Sequence, residues 1–312
     1  MKFVVYHACL PPTNKNLEKN DILNKFPVGV KSLGVDEVII HNQSTLISAD
    51  IAMIIGWVHE NSRETPHLIF RKNIIKQQLS TNKKVLLADS NLFLYRDTSN
   101  PHHYLRYSFN GVFPNTGNYC DTDIDPQRWT KLSQKLNLTL KDYQTNGNHI
   151  LLCLQRNGGW SMGGFEVIDW TTNIIKTLRQ YTDRPIVIRA HPGDKGTKHY
   201  LSANNLNQKI GNIKNIRVSD EGTSLISDLK NCWAVINHNS SPTVGAAIEG
   251  CPIFVTDPDH SQCKEIANLD LSMIETPMYP DRQLWLERLS MFHWNFDEIQ
   301  NGECWAHMRR YV

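Results

Sequence analysis

Three polar stretches of this chain carry the residue types that hold a phosphate: Arg156-Asn157-Gly158-Gly159-Trp160-Ser161-Met162-Gly163-Gly164, Arg189-Ala190-His191-Pro192, and Asn237-His238-Asn239-Ser240-Ser241-Pro242. The paired glycines leave backbone N–H groups open to a ligand. Arg189 and His191 can take up charge on a phosphate, and Lys195 or Lys198 can add a point charge. Ser240 or Ser241 can cap a short helix of small residues, with Pro242 in its first turn and Ala246 and Ala247 suited to close packing. The free N–H groups opening that helix suit an anion. None of these stretches is a G-x-G-x-x-G or a Walker loop, so neither a dinucleotide nor ATP hydrolysis is indicated.

Each stretch follows a run of apolar, β-branched residues: His149 to Gln155, Arg184 to Ala190, and Cys232 to Ile236. In open parallel sheets ligands bind at the carboxyl ends of the strands, which would bring the three turns to one edge. The rest of the chain supports such sheets. Strand-like runs at 2–6, 37–40, 51–57 and 83–89 alternate with a helical pattern from Pro66 to Leu79, and 127–138 is helical. The first strand is followed by what reads as a polar loop rich in Asn, Lys and Pro. The stretch from Arg96 to Asp125, with Tyr104, Tyr107, Phe109, Phe113 and Tyr119 among Asn and Gly, is expected to be an acceptor-side loop. Asn146-Gly147-Asn148 punctuates the chain, placing a boundary near 140–148. From Asp281 the pattern is helical to the end, its aromatics serving as packing.

Composition bounds the function. Apolar residues make up 40% and charged residues 21% of 312, which describes a globular protein with room for two cores. A net charge of +2 gives little general attraction to nucleic acid, although residues 1–150 carry 17 Lys and Arg against 13 Asp and Glu. The seven cysteines are odd in number and show no C-x-x-C spacing. They read as reduced core residues in a cytoplasmic protein. No run has the length of a membrane span.

The strand ending in His191-Pro192, followed about fifty residues on by Ser240-Ser241, a small-residue helix and Gly250-Cys251-Pro252 before a strand, resembles the donor-binding half of GT-B glycosyltransferases. The likeness is to the capsule-polysaccharide and Kdo- or sialyl-transferase branch and covers roughly 149–275. It implies an α/β fold of two facing Rossmann-like domains, 1–145 on the acceptor side and 146–312 on the nucleotide-sugar side, with a C-terminal helical segment. Phosphate contacts are implied at His191, Ser240 and Ser241, and a turn at Gly250 and Pro252. That branch has a Glu-Ala pair where this chain has Gly245, so Glu249 is the substitute candidate for a ribose or sugar ligand. The donor-binding set is Arg156, Gly158, Gly159, Arg189, His191, Lys195, Asn239, Ser240, Ser241 and Glu249.

The activity implied is transfer of a sugar from a nucleotide-sugar to an acceptor hydroxyl, on a surface or capsular glycan or on a hydroxymethylated base of phage DNA. Fixed donors would stabilise the leaving phosphate, His191 among them. A base from the first half would deprotonate the acceptor, with Asp89 and His7 as the leading candidates beside Glu60 and Asp121. Neither a cofactor nor a metal is called for beyond the nucleotide-sugar co-substrate. The Asp121-Thr122-Asp123-Ile124-Asp125 run precedes Pro126 and a helix, where capping accounts for it. The alternatives are a sugar-nucleotide epimerase of the same two-domain plan and a non-catalytic nucleotide-sugar or nucleic-acid binding protein.

Overall fold

The computed structural model describes all residues except 12, 60, 61, 63, 158, 159, 195, 197–200, 202–207, 210, 212 and 213. Contacts divide the chain into two units. The first holds Met1–Leu92, Ser99–Leu136 and Leu286–Val312, and the second Phe93–Thr98 and Asn137–Trp285. The sequence places one cut near 140–148; in this division the chain passes from the first unit to the second at 136/137, with residues 93–98 belonging to the second unit and 286–312 to the first.

The sheet of the first unit is built on β1 (Lys2–Tyr6), β2 (Glu37–His41), β3 (Ile51–Ile55) and β4 (Lys84–Asp89), all parallel, in the order β2-β1-β3-β4. β1, β3 and β4 are almost wholly buried, as expected of strands covered on both faces. β5 (Leu105–Phe109) adds antiparallel to β4, and β11 (His293–Trp294) adds antiparallel to β5. The expected acceptor-side loop is therefore largely core: Tyr104, Tyr107, Phe109 and Tyr119 are all buried. Their spacing lacked strict alternation because β5 is buried on both faces.

One further expectation changes here. The polar segment after β1 contains the helix Leu17–Ser32, with Pro27 inside it; Ile22, Leu23, Phe26 and Val30 supply a buried face that the flanking polar residues obscure. The C-terminal segment carries its expected helices, interrupted by one short strand. It runs as Gln283–Met291, then β11, then Phe296–Gln300 and Glu303–Met308. Trp305, wholly buried, packs edge-on against Phe3 at 4.9 Å, and its indole N–H donates to Asp36 at 2.9 Å. Burial would raise the Asp36 carboxyl, but Arg309, the Met1 amino group and Trp305 hold it down at about 2.

The second unit has a wholly parallel sheet in the order β10-β9-β6-β7-β8. Its strands are β6 (His149–Cys153), β7 (Ile186–Arg189), β8 (Ile216–Val218), β9 (Cys232–Asn237) and β10 (Ile253–Val255). The chain moves outward from β6 through β7 to β8, then returns to lay β9 on the other side of β6. That reversal is the Rossmann pattern, and it places a topological switch point between β6 and β9. All seven cysteines are free and buried.

Candidate functional site

β7 and β9 flank β6, so the turns that follow them open on one sheet edge about two strand spacings, or ~10 Å, apart. Hydrogen bonds join these turns. After β6, the buried Gln155 accepts from the Asn239 backbone N–H at 3.2 Å and donates to Ser161 Oγ at 2.7 Å. Asn239 Nδ2 donates to the Ser161 carbonyl at 3.0 Å and to Asp257 at 2.7 Å. On the other side, the Asn157 N–H donates to Asp194 Oδ2 at 2.8 Å. The three polar stretches thus form one connected edge. Gly158, Gly159, Lys195, Lys198 and Glu60 lie outside the described residues.

Ser240 is held in a specific state. Asn237 Nδ2 donates to its carbonyl at 2.7 Å and to its Oγ at 3.0 Å, and Thr243 Oγ1 also donates to the carbonyl. Because Oγ accepts from Asn237, its own O–H is left to donate elsewhere. The helix that follows, Pro242–Ile248, has Pro242 in its first turn as expected, but neither serine side chain caps it; Ser241 makes no capping bond and is exposed. Asn239 has its amide N–H groups engaged by the protein, which makes it a brace for the turn.

His191 Nδ1 accepts from the Gly193 N–H at 3.0 Å, which puts the proton of the neutral ring on Nε2. Burial, with the positive Arg156 beside it, lowers its pKa against the raising effect of Asp194. At neutral pH the ring is therefore a neutral donor through Nε2. Arg156 is exposed on the neighbouring turn. Arg189 is anchored: its Nη1 donates to the buried Asp228 at 2.5 Å and to the Thr223 carbonyl at 2.8 Å, while Ser219 Oγ also donates to Asp228.

Arg189 and His191 line a cavity of about 610 Å³ at the carboxyl ends of β7 and β8, completed by Asp194, Ser219, Asp220 and Glu221 among others. A volume of that order accommodates a nucleoside. The turn after β8, from Ser219 to Thr223, is a fourth polar turn on the same edge, beyond the three predicted. Its signal was present: Ser219-Asp220-Glu221-Gly222 directly follows a strand.

Glu249 is not brought to this edge. It closes the far end of the Pro242–Ile248 helix, about 12 Å along the axis from Ser241. There it is buried among Arg96 at 2.5 Å, Tyr95 Oη at 3.0 Å, and Lys141. Burial would raise its pKa, but hydrogen bonds from Lys141, Arg96 and Tyr95 hold it below the usual value. The same contacts explain Gly245. A Cβ there would lie 2.5 Å from Cγ of Tyr95, the ring that residues 93–98 contribute to this unit. Glycine-to-alanine in a helix interior normally stabilises by up to about 1 kcal/mol. Here Gly245→Ala is expected to destabilise by about 1–3 kcal/mol through overpacking. Denaturant midpoints check this, and a midpoint at or above the parent value would refute the packing account.

In the first unit, His7 follows β1 directly and Asp89 ends β4. Asp89 accepts from Arg106 Nη2 at 2.7 Å and from the Ser90 N–H at 2.7 Å, so both its oxygens have partners. His7 Nε2 is buried with no hydrogen-bond partner among the described residues. Burial lowers the pKa of its ring, against a backbone hydrogen bond with Leu23 that raises it. Asp125 Oδ1 accepts from the Gln127 N–H at 2.9 Å at the start of Pro126–Leu136, and Asp123 pairs with Arg310. Among the described residues no group of three or more His, Cys, Asp or Glu is placed to hold a metal. No described helix is long and apolar enough to cross a membrane.

No family model matches the chain, and no curated protein matches it. Solved structures do. A β-Kdo 2,4 transferase of KpsC from Thermosulfurimonas dismutans aligns at TM-score 0.54 and 10% identity, over 93% of this chain and 90% of that one. The β-Kdo 2,7 transferase of the same organism's KpsC aligns at TM-score 0.54 and 10% identity over the whole of both chains. The chain therefore has the fold of GT-B glycosyltransferases, with the Kdo-transferase likeness expected from its second half.

Proposed function

We propose that this protein is a glycosyltransferase that holds a nucleotide-sugar on the carboxyl edge of the second unit's sheet and transfers the sugar to an acceptor hydroxyl. The observation that carries this is the joined set of turns after β6, β7 and β9 beside the cavity at β7 and β8. The cavity takes the nucleoside, with Asp220 or Glu221 accepting from ribose hydroxyls. His191 Nε2–H, the Ser240 hydroxyl, Ser241 and Arg156 face the phosphates. Arg189 shapes the cavity wall and, being paired with Asp228, adds little net charge. As the sugar–phosphate bond breaks, negative charge grows on the leaving phosphate, and donors already fixed by Gly193 and Asn237 stabilise it without reorganising.

The acceptor is a glycan hydroxyl in this reading. A hydroxymethylated base would have to be extruded to reach the site, and Tyr104, Tyr107, Phe109 and Tyr119 of the expected acceptor-side loop are buried and offer it no surface.

Nucleotide release from a panel of UDP-, CMP- and GDP-sugars, with and without glycan or modified DNA, tests the proposal. Release that requires an acceptor supports transfer. Conversion of the donor without acceptor identifies an epimerase, and binding without turnover a non-catalytic protein. Ser240→Ala combined with Ser241→Ala is expected to weaken donor binding about tenfold or more, for two lost hydrogen bonds to a charged group, while the circular dichroism spectrum stays unchanged. Unaltered donor affinity in calorimetry would reject the site.

A further inference from the structure

We propose that the first unit carries an anion-binding site of its own, centred on Arg71 at the carboxyl ends of β1 and β3, which receives a carboxylate or phosphate group of the acceptor. Assigning that anion to the acceptor rests on the transferase reading; the site itself does not.

Arg71 lies on the helix Pro66–Ser80 and is only 8% exposed. Its Nε donates to the Cys9 carbonyl at 2.6 Å, just past β1. Its Nη1 lies 3.7 Å from where a Cβ on Gly56 would stand, just past β3, and Gly56 has φ +70°. The guanidinium thus sits between the ends of the two strands where the order β2-β1-β3-β4 reverses, the place where open parallel sheets receive ligands.

What marks Arg71 is the lack of compensation. Among the described residues no carboxylate pairs with it, and its two terminal nitrogens make no hydrogen bond. The other buried arginines are provided for. Arg128 pairs with Glu298 at 2.7 Å, while Arg282 donates to the Lys141 and Ala247 carbonyls and stacks on Tyr143. A buried cation without an opposite charge is costly unless a ligand supplies one. Burial lowers the Arg71 pKa, with only the Cys9 thiol opposing.

The field at the same place is positive. His67, four residues earlier on the helix, is lowered first by burial and then by the charges of Arg71 and Lys19. Those two cations also ease the otherwise raised Cys9 thiol. Lys19 is half-buried and forms no ion pair among the described residues. A planar guanidinium with free terminal nitrogens and a lysine at hand suit a carboxylate or phosphate.

The test uses the full ¹⁵N-labelled chain titrated with glucuronate, glucose 6-phosphate and glucose. The acids are expected to shift the Cys9 and Gly56 amide signals and the Arg71 Nε signal, glucose to leave them unmoved, and the tighter acid to identify the group as carboxylate or phosphate. Arg71→Gln is expected to weaken that binding about tenfold or more, and Lys19→Gln about threefold. Absence of shifts with both acids in the parent protein overturns the proposal, and so does undiminished affinity in a folded Arg71→Gln. If Arg71→Gln does not fold, the parent titration and Lys19→Gln decide. Because no donor is present, a failed transferase reading leaves this outcome unaffected.

Discussion

If the proposed transfer uses His7 as its base, replacing His7 with glutamine is expected to slow it by about 10²–10⁴-fold, the range for loss of a general base, with donor affinity unchanged. The expectation follows from what the ring lacks. Nε2 is buried and makes no hydrogen bond among the described residues, so the hydrogen bond with the Leu23 backbone falls to the other ring nitrogen. A neutral imidazole of that kind keeps an idle lone pair at the end of β1. Asp89, the rival candidate, has both oxygens committed to Arg106 and the Ser90 N–H. Burial lowers the His7 pKa from its ordinary 6.5, so the ring is already deprotonated at neutral pH and, in that role, would set the acid limb of kcat/KM below pH 6.5. That limb should vanish in His7→Gln. A rate within a few-fold of the parent, with the limb intact, removes His7 from catalysis and returns attention to Asp89.

The second large effect concerns stability. His293 is fully buried; its Nδ1–H donates to the Leu289 carbonyl at 2.7 Å, and its Nε2 accepts from the Leu92 N–H at 3.1 Å. Burial lowers its pKa to about 3; the Leu289 bond opposes this, while Arg106 and Arg128 add to it. Since the folded value is depressed, the unfolded chain takes up the proton first. The stabilisation is complete above pH 6.5 and is lost as pH falls from 6.5 toward 3, at about 1.4 kcal/mol per pH unit. From pH 7 to pH 5 this residue alone should cost about 2 kcal/mol. Asp36, held at about 2, contributes its own loss only below about pH 4. Denaturant unfolding at the two pH values and the imidazole proton resonances check this. A ring that titrates near 6.5, or a stability that stays flat between pH 7 and 5, contradicts it.

Much of the second unit was legible in the sequence because its strands are short apolar runs closed by polar turns, and its helices carry their own start signals. Pro242 sits in the first turn it was assigned, and His191 lies on the predicted edge. Other features depended on partners far along the chain, where periodicity carries no information. Glu249 meets Arg96 across 153 positions, so nothing near Glu249 announces that its charge is already neutralised. Gly245 looks like a missing glutamate until Tyr95 is seen filling the space. Arg189 reads as a free phosphate ligand until Asp228 is found against it. The aromatic run at 104–119 mimics a loop because its strand is covered on both faces. In each case tertiary packing assigned a residue that local pattern left open.

The two exchanged segments, 93–98 and 286–312, bear on how this protein can be dissected. A gene divided near residue 145 would leave the leading fragment without Trp305, the indole seated against Phe3, and the trailing fragment without the Tyr95 ring that lies on Gly245. Each product would expose a hollow shaped for a segment now on the other polypeptide. Co-expression of the two fragments, rather than expression of either alone, is the arrangement that returns both segments to their cores.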